Sequence, residues 1–346
     1  MKVQEYSVLR NEVIEMVQFL QNRGIKVGEV REYVSAYVDL PTQWLKILSF
    51  FTDLVESTTN ISLIKDVHRE LSAKVISLLL YNNKLIKIID INEQDFDELL
   101  KYYKSTFKKK FDDYDISELI SKTDEPLSCK FSFDATKEAF MVKTIVNDLI
   151  KIDIDDRVGR ELQQEFSNIV GLKKVALPAL YSYIFDTKNK SIILSVDLAN
   201  IVRSRLVGLE MNHFSISLKK SISGVTFPSN SRNIFDKIDL FYKDKKGFAK
   251  NLSLKTPDGV IYHAHANAQY PDARVSKYHV NGALSVKGKV SIYRIQKGFD
   301  TSRDTQYLID LKSIAAMTTK PDPFLYEATV MASNAKDFVE ALGKLL

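Results

Sequence analysis

The sequence predicts an α+β protein. A mainly helical domain over residues 1–210, with a β-hairpin near 177–196, precedes a basic antiparallel β-rich domain over 211–346. That second domain is expected to form a sandwich or partly closed barrel and to end in a C-terminal helix. Three observations predict this. Apolar residues recur at helical spacing near the N-terminus, the period shortens to two from about Asn212, and turn pairs such as Asn281-Gly282 divide the second half into hairpins.

The elements follow in order. Val8, Leu9, Val13, Ile14, Val17 and Leu20 form one stripe of a helix over 4–23, which Gly24 ends. Pro41 opens a second helix carrying Trp44, Leu45, Ile47, Leu48, Phe51, Leu54 and Val55, and a third runs from Ile61 to Tyr81 until Asn82-Asn83 breaks it. The β-branched run Leu85 to Ile91 reads as a strand. Asn92 then caps a helix from Phe96 to Phe111 whose lysines, Lys104 to Lys110, complement the helix dipole as a solvated face.

Lys130 to Phe133 is a predicted strand and Ala135 to Leu149 a predicted helix. The acids Asp153, Asp155 and Asp156 read as the N-terminal cap of a helix over Val158–Val170. Two apolar runs around Asp186–Lys190 give the hairpin, and a helix over Leu198–Leu209 closes the first half. Strands are then predicted at His213–Leu218, Ile238–Tyr242, Lys250–Leu254, Val260–Ala266, Tyr278–Val280, Ala283–Val286, Lys289–Ile295, Tyr307–Ile314 and Leu325–Met331. A terminal helix capped by Ser333 follows, with Phe338, Val339, Leu342 and Leu345 on one side.

Composition excludes several classes. Apolar content of 45% with 27% charged residues suits a buried core. The longest apolar run, Val75 to Tyr81, falls far short of the ~18 residues a membrane span requires. Glu5, Glu12 and Glu15 stand where a signal peptide needs an apolar stretch, so a cytoplasmic location is expected. Cys129 is the one cysteine, which precludes an internal disulfide and a cysteine-based metal cluster. Abundant Lys, Ile, Asn and Asp match the bias of AT-rich genomes, including those of many phages and mobile elements. No P-loop, G-x-G-x-x-G, G-x-S-x-G, H-E-x-x-H or EF-hand loop occurs, and no cofactor is expected.

Charge carries the functional signal. The net charge is +5, yet residues 1–200 hold 27 Lys and Arg against 31 Asp and Glu, while 203–297 hold 17 against 6. Such asymmetry points to a polyanionic partner for the second half. The expected contacts are Lys243, Lys245, Lys246, Lys250, Lys255, Arg274, Lys277, Lys287, Lys289 and Arg294, interleaved with Tyr262 and Tyr278. Cations meet phosphates and aromatic faces stack on bases, so the function expected is non-enzymatic nucleic-acid binding. The plain alternative is a sheet whose edge lysines only prevent aggregation.

Other readings stay open. The acidic half of one subunit could meet the basic half of the next in a structural or phage-type assembly, a homo-oligomer. His263 and His265 lie two apart on a strand and share a face, and His279 could add a third imidazole to a metal. A metal-dependent nuclease would use Asp258 or Asp272 with Asp310 and Lys312. Finally, the strand at 325–331 and the terminal helix resemble the close of a pleckstrin-homology-like barrel, with Phe338 in place of that family's helical tryptophan. The resemblance implies a sheet curled on itself and plugged by the helix.

Overall fold

The computed structural model describes residues 2–55, 57–123, 127–152, 171–198, 204–276, 279–282, 290–301 and 306–346. The α+β class holds, with helices first and a helix last. Four helices open the chain: α1 (Lys2–Asn22), α2 (Val27–Val34), α3 (Trp44–Thr52) and α4 (Thr58–Leu80). In α1 the residues Val13, Met16, Val17 and Leu20 are buried at helical spacing, and Gly24, at φ +70°, turns the chain out of the helix. The short α2, which the sequence pattern does not flag, buries only Val30 and Val34.

Among the described residues, ten strands then build one open antiparallel sheet. They are β1 (Lys84–Asp90), β2 (Ser128–Ser132), β3 (Lys137–Ile152), β4 (Gly171–Asp186), β5 (Ser191–Asp197), β6 (Phe248–Lys255), β7 (Ile261–His265), β8 (Ser291–Asp300), β9 (Gln306–Lys312) and β10 (Glu327–Met331). Their order is β2-β3-β4-β5-β1-β10-β9-β8-β6-β7, and β1 joins the strands of both sequence halves by pairing with β5 on one side and β10 on the other. Among the described residues the strands of the second half therefore belong to one open sheet rather than to a separate sandwich or barrel, and β10 pairs with β1 and β9 instead of closing a pleckstrin-homology-like ring. Between and after the strands lie α5 (Glu93–Thr106), α6 (Ile116–Ile120), α7 (Ser204–Lys220), α8 (Asp236–Lys243) and α9 (Ala335–Leu345).

Register assigns the paired residues of the sheet to two faces. The first face presents Ile86, Ile88, Ala139, Met141, Ile184, Ile193, Leu252, Leu254, Ile295, Ile309, Leu311 and Val330 to the core that α1–α4, α8 and α9 share. The second face presents Ile89, Phe140, Tyr183, Phe185, Ile192, Leu194 and Val196 to α5 and α7. This second core draws on β1, β3, β4 and β5 alone among the strands.

Several expected elements change type. Residues 137–149 are strand, not helix: Ala139, Phe140 and Met141 are buried alternately on the two faces, and a strand sealed on both sides loses the alternation that would identify it. The expected strand over His213–Leu218 lies within α7, where Met211, Phe214 and Leu218 fall at helical spacing on one side. Likewise 238–242 is α8, burying Ile238 and Phe241. Residues 279–282 are helical, so Asn281-Gly282 does not turn a hairpin; Ser276 starts this turn by accepting the Val280 N–H at its carbonyl, 3.0 Å away. Asn334, in place of Ser333, caps α9 by accepting the Asp337 N–H at 3.0 Å. The hairpins at Asp186–Lys190 and Thr256–Gly259 and the Asn92 cap stand as expected. The helix expected over Val158–Val170 and its acids at 153–156 lie outside the described residues.

A buried ionic group locks the first helix to the sheet. Asp197 of β5, fully buried, accepts two hydrogen bonds of 2.8 Å from Arg23, just beyond α1, and lies 3.1 Å from Lys84 Nζ of β1. Arg23 also donates to the Pro178 carbonyl at 2.6 Å, which ties in β4. Asp197→Asn leaves two buried cations without their counter-charge, and urea denaturation should show a loss of ~3–5 kcal/mol.

Burial pushes the Lys84 ammonium down to about 8, with Asp197 opposing and Arg23 adding to the fall. The unfolded chain thus binds more protons than the folded one between about pH 8 and the ordinary value of 10.5, so this residue's contribution to stability rises with pH across that window. Denaturation series should show the wild type gaining on Lys84→Met as pH rises there; parallel profiles would contradict the assignment.

Candidate nucleic-acid interface

The second face changes character where β1 meets β10. Leu85 of β1 still packs with the second core, but its neighbour on β10 is Thr329. From there register carries one row across the sheet through Asp310, Gln296, Asn251 and His265. A second row runs Lys312, Arg294, Ser253 and His263, and a third brings Lys255 between Ser291 and Ile261. Alternation explains the pattern: the residues between these, such as Leu252, Ile295 and Leu311, fill the core on the first face.

The polar rows are wired together. His265 Nδ1–H donates to Asn251 Oδ1 at 2.6 Å, since an amide oxygen only accepts, and Asn251 Nδ2 donates to Gln296 Oε1 at 2.5 Å. His263 Nδ1 meets Ser253 Oγ at 2.8 Å. Arg294 grips both oxygens of Asp310, at 3.2 and 2.8 Å, and these bonds hold its guanidinium above the ordinary arginine range. Ser253 and Gln296 are buried, whereas Lys312, His263 and His265 are exposed. The array is thus anchored from below and open above.

The described residues among those expected to bind nucleic acid divide three ways. Lys255 and Arg294 belong to this face. Lys245, Lys246 and Lys250 are exposed, with no side-chain partner among the described residues, and Lys243 pairs with Asp239 on α8. Arg274 is internal: it pairs with Asp272 and donates to the carbonyls of Tyr242, Asp244 and Gly247, clasping the loop after α8. Lys297 of β8, fully buried, supports the same loop through Asp244 and the Phe241 carbonyl. Burial works against ionisation of Asp272, but the Arg274 side-chain and backbone hydrogen bonds outweigh it and hold the carboxyl below the usual range. Tyr262 turns to the first face and packs on its core. Lys277, Tyr278, Lys287 and Lys289 lie outside the described residues.

His263 and His265 share a face as expected. His279 does not join them: it is buried against the Tyr242 hydroxyl at 2.8 Å, and burial lowers its imidazole below the ordinary range. Among the described residues no three of His, Cys, Asp and Glu gather as a metal site. Asp272 and Asp310 each hold an arginine, and Asp258 sits exposed in the Thr256–Gly259 turn. Asn251, Gln296 and Ser253 escaped sequence reading because they are uncharged, although their period-two spacing against buried leucines was the available signal.

At the step where α7 ends beside the polar face lies a cleft of about 370 Å³. Lys87 and Ile89 of β1, Ile216 and Lys219 of α7, and Tyr326 line it. A larger cleft of about 740 Å³ lies between α1, α6 and β4, but its rim mixes Lys109 and Lys122 with Glu15 and Glu118, and Lys143 there donates to Ser121 Oγ and the Glu118 carbonyl. No described helix is long and apolar enough to cross a membrane. Comparison with known proteins finds no family model and no curated protein that matches the chain.

The clasp and the open face should respond differently to truncation. Arg274→Ala should cost ~3 kcal/mol or more in urea denaturation, because Asp272 loses its cationic partner and the Tyr242 and Gly247 carbonyls lose a donor. Lys246→Ala, on the same loop but exposed, should stay within ~0.5 kcal/mol of wild type.

Proposed function

We propose that this chain is a non-enzymatic nucleic-acid-binding protein whose contact surface is the polar half of the second sheet face. The observation that carries the proposal is the break in that face. Over β1, β3, β4 and β5 it is apolar and sealed by α5 and α7, whereas across β10, β9, β8, β6 and β7 it carries hydrogen-bonded polar rows with Lys255, Arg294 and Lys312. A sheet face kept polar and fixed by its own hydrogen bonds offers donors in set positions to phosphate oxygens. The +11 charge of residues 203–297 supplies long-range attraction, of which the half-buried Arg274 and the buried Lys297 form an internal part and the exposed lysines the part a ligand meets. No catalytic role is assigned, since Arg294 occupies both oxygens of Asp310, the carboxylate among the described residues at the centre of this face.

Counterion release then governs the affinity. Anisotropy titrations with a labelled oligonucleotide should give a logarithm of the binding constant that falls linearly with the logarithm of salt concentration. Lys255→Ala and Lys312→Ala should each lower the magnitude of that slope by ~1 while leaving the unfolding transition in place. A flat salt profile, or unchanged slopes in both variants, would contradict the proposal.

A further inference from the structure

The cleft at the step between α7 and the polar face has the chemistry of a nucleobase pocket. β10 pairs with β1 only as far as Lys87 and Glu327, and beyond that point the loop before α8 takes its place. The Arg232 N–H donates to the Ile88 carbonyl at 2.8 Å, and the Arg232 guanidinium grips Asp90. Asn233 then fixes the other side: its Nδ2 donates to the Pro323 carbonyl at 2.9 Å, and its Oδ1 accepts the Leu325 N–H at 2.9 Å. Loop, strand and the stretch bearing Tyr326 are therefore held in place, and the cavity exists before any ligand arrives.

Its lining is apolar on the walls and polar at fixed points. Ile89 and Ile216 both line the cleft, Ile89 buried and Ile216 46% exposed. Tyr326 stacks on Phe324 with ring centroids 5.2 Å apart and planes 20° apart, and Lys320 lies 5.4 Å from the Phe324 centroid. Asn212, Ser229 and Asn230 offer amide and hydroxyl groups of both donor and acceptor type. Lys219 makes no ion pair among the described residues, and Lys87 is held by Glu327 at 3.5 Å. None of the described lining residues is acidic.

We infer that this cleft receives an unstacked base of a single-stranded nucleic acid, stacked on the Tyr326–Phe324 pair, with the adjoining phosphates at Lys87 and Lys219. The inference rests on the polar face being the nucleic-acid surface and names the class of ligand it takes. In a duplex the faces of the bases are occupied by their neighbours, and only a splayed strand can present one to a walled aromatic site. The cleft opens beside the polar rows, so a strand lying over Lys312, Arg294 and Lys255 passes its mouth.

The test uses the full chain, a labelled single-stranded DNA oligonucleotide and the duplex of the same sequence. Wild type is expected to bind the single strand more tightly than the duplex. Tyr326→Ala should weaken single-strand binding by about tenfold and change duplex binding less than twofold, with Tyr326→Phe restoring the single-strand affinity. Lys219→Glu, at an exposed site, should give the same selective loss, and it decides the matter should Tyr326→Ala fail to fold. Duplex binding as tight as single-strand binding, with Lys219→Glu and a folded Tyr326→Ala silent or equally harmful to both forms, would overturn the base pocket and leave the polar face standing. Absence of binding to either form by wild type would overturn both.

Discussion

The architecture depends on one buried carboxylate. Asp197 sits at the end of β5 with no exposure to solvent, and the cations that neutralise it come from beyond α1 and from β1. Burying three charges is costly, and Arg23 and Lys84 offset part of that cost by donating to the Pro178 and Leu79 carbonyls. A partner set of this kind can be satisfied in one geometry. It therefore fixes which face of the sheet the N-terminal helices cover and at what depth, a specificity that apolar packing alone would leave loose.

From that constraint the asymmetry of the sheet follows. With the N-terminal helices and α8 and α9 seated on the first face, that face can be largely apolar, with Lys84, Asp197 and Lys297 as buried, partnered charges within it. The second face has only α5 and α7 as described helical cover, and their apolar residues reach β1, β3, β4 and β5. The remaining strands must solvate or bond their side chains, which the Asn251–Gln296 and Arg294–Asp310 pairs do. The polar rows are thus a consequence of how the layers are apportioned. Their cations and the cleft beside α7 lie where the cover stops.

Much of this was legible in the sequence where the cause is local. The stripe of α1, the glycine after it, the Asn92 cap and the turns at Asp186–Lys190 and Thr256–Gly259 each depend on a few neighbouring residues. Misreadings came where two structures satisfy one pattern. Phe214 and Leu218 fit a helix spacing, although the segment around them also alternates; Ala139 to Met141 is apolar because both faces of β3 are covered. The pairing of β1 with β10 joins residues more than two hundred apart in the chain, and no local signal could announce it. Charge was the most deceptive guide: Arg274 and Lys297 count as basic surface in a tally, yet each holds a loop from within, and Tyr262 faces the core.

The functional account turns on which lysines a nucleic acid covers. Lysine acetylation, read residue by residue with and without single-stranded DNA, addresses it most directly, because the exposed lysines span both the polar face and surfaces remote from it. The account predicts that the ligand protects Lys255, Lys312 and Lys219, while Lys108, Lys109 and Lys110 near the end of α5 keep their reactivity. Protection of the lysines near α5 with full reactivity at Lys255 and Lys312 would contradict it.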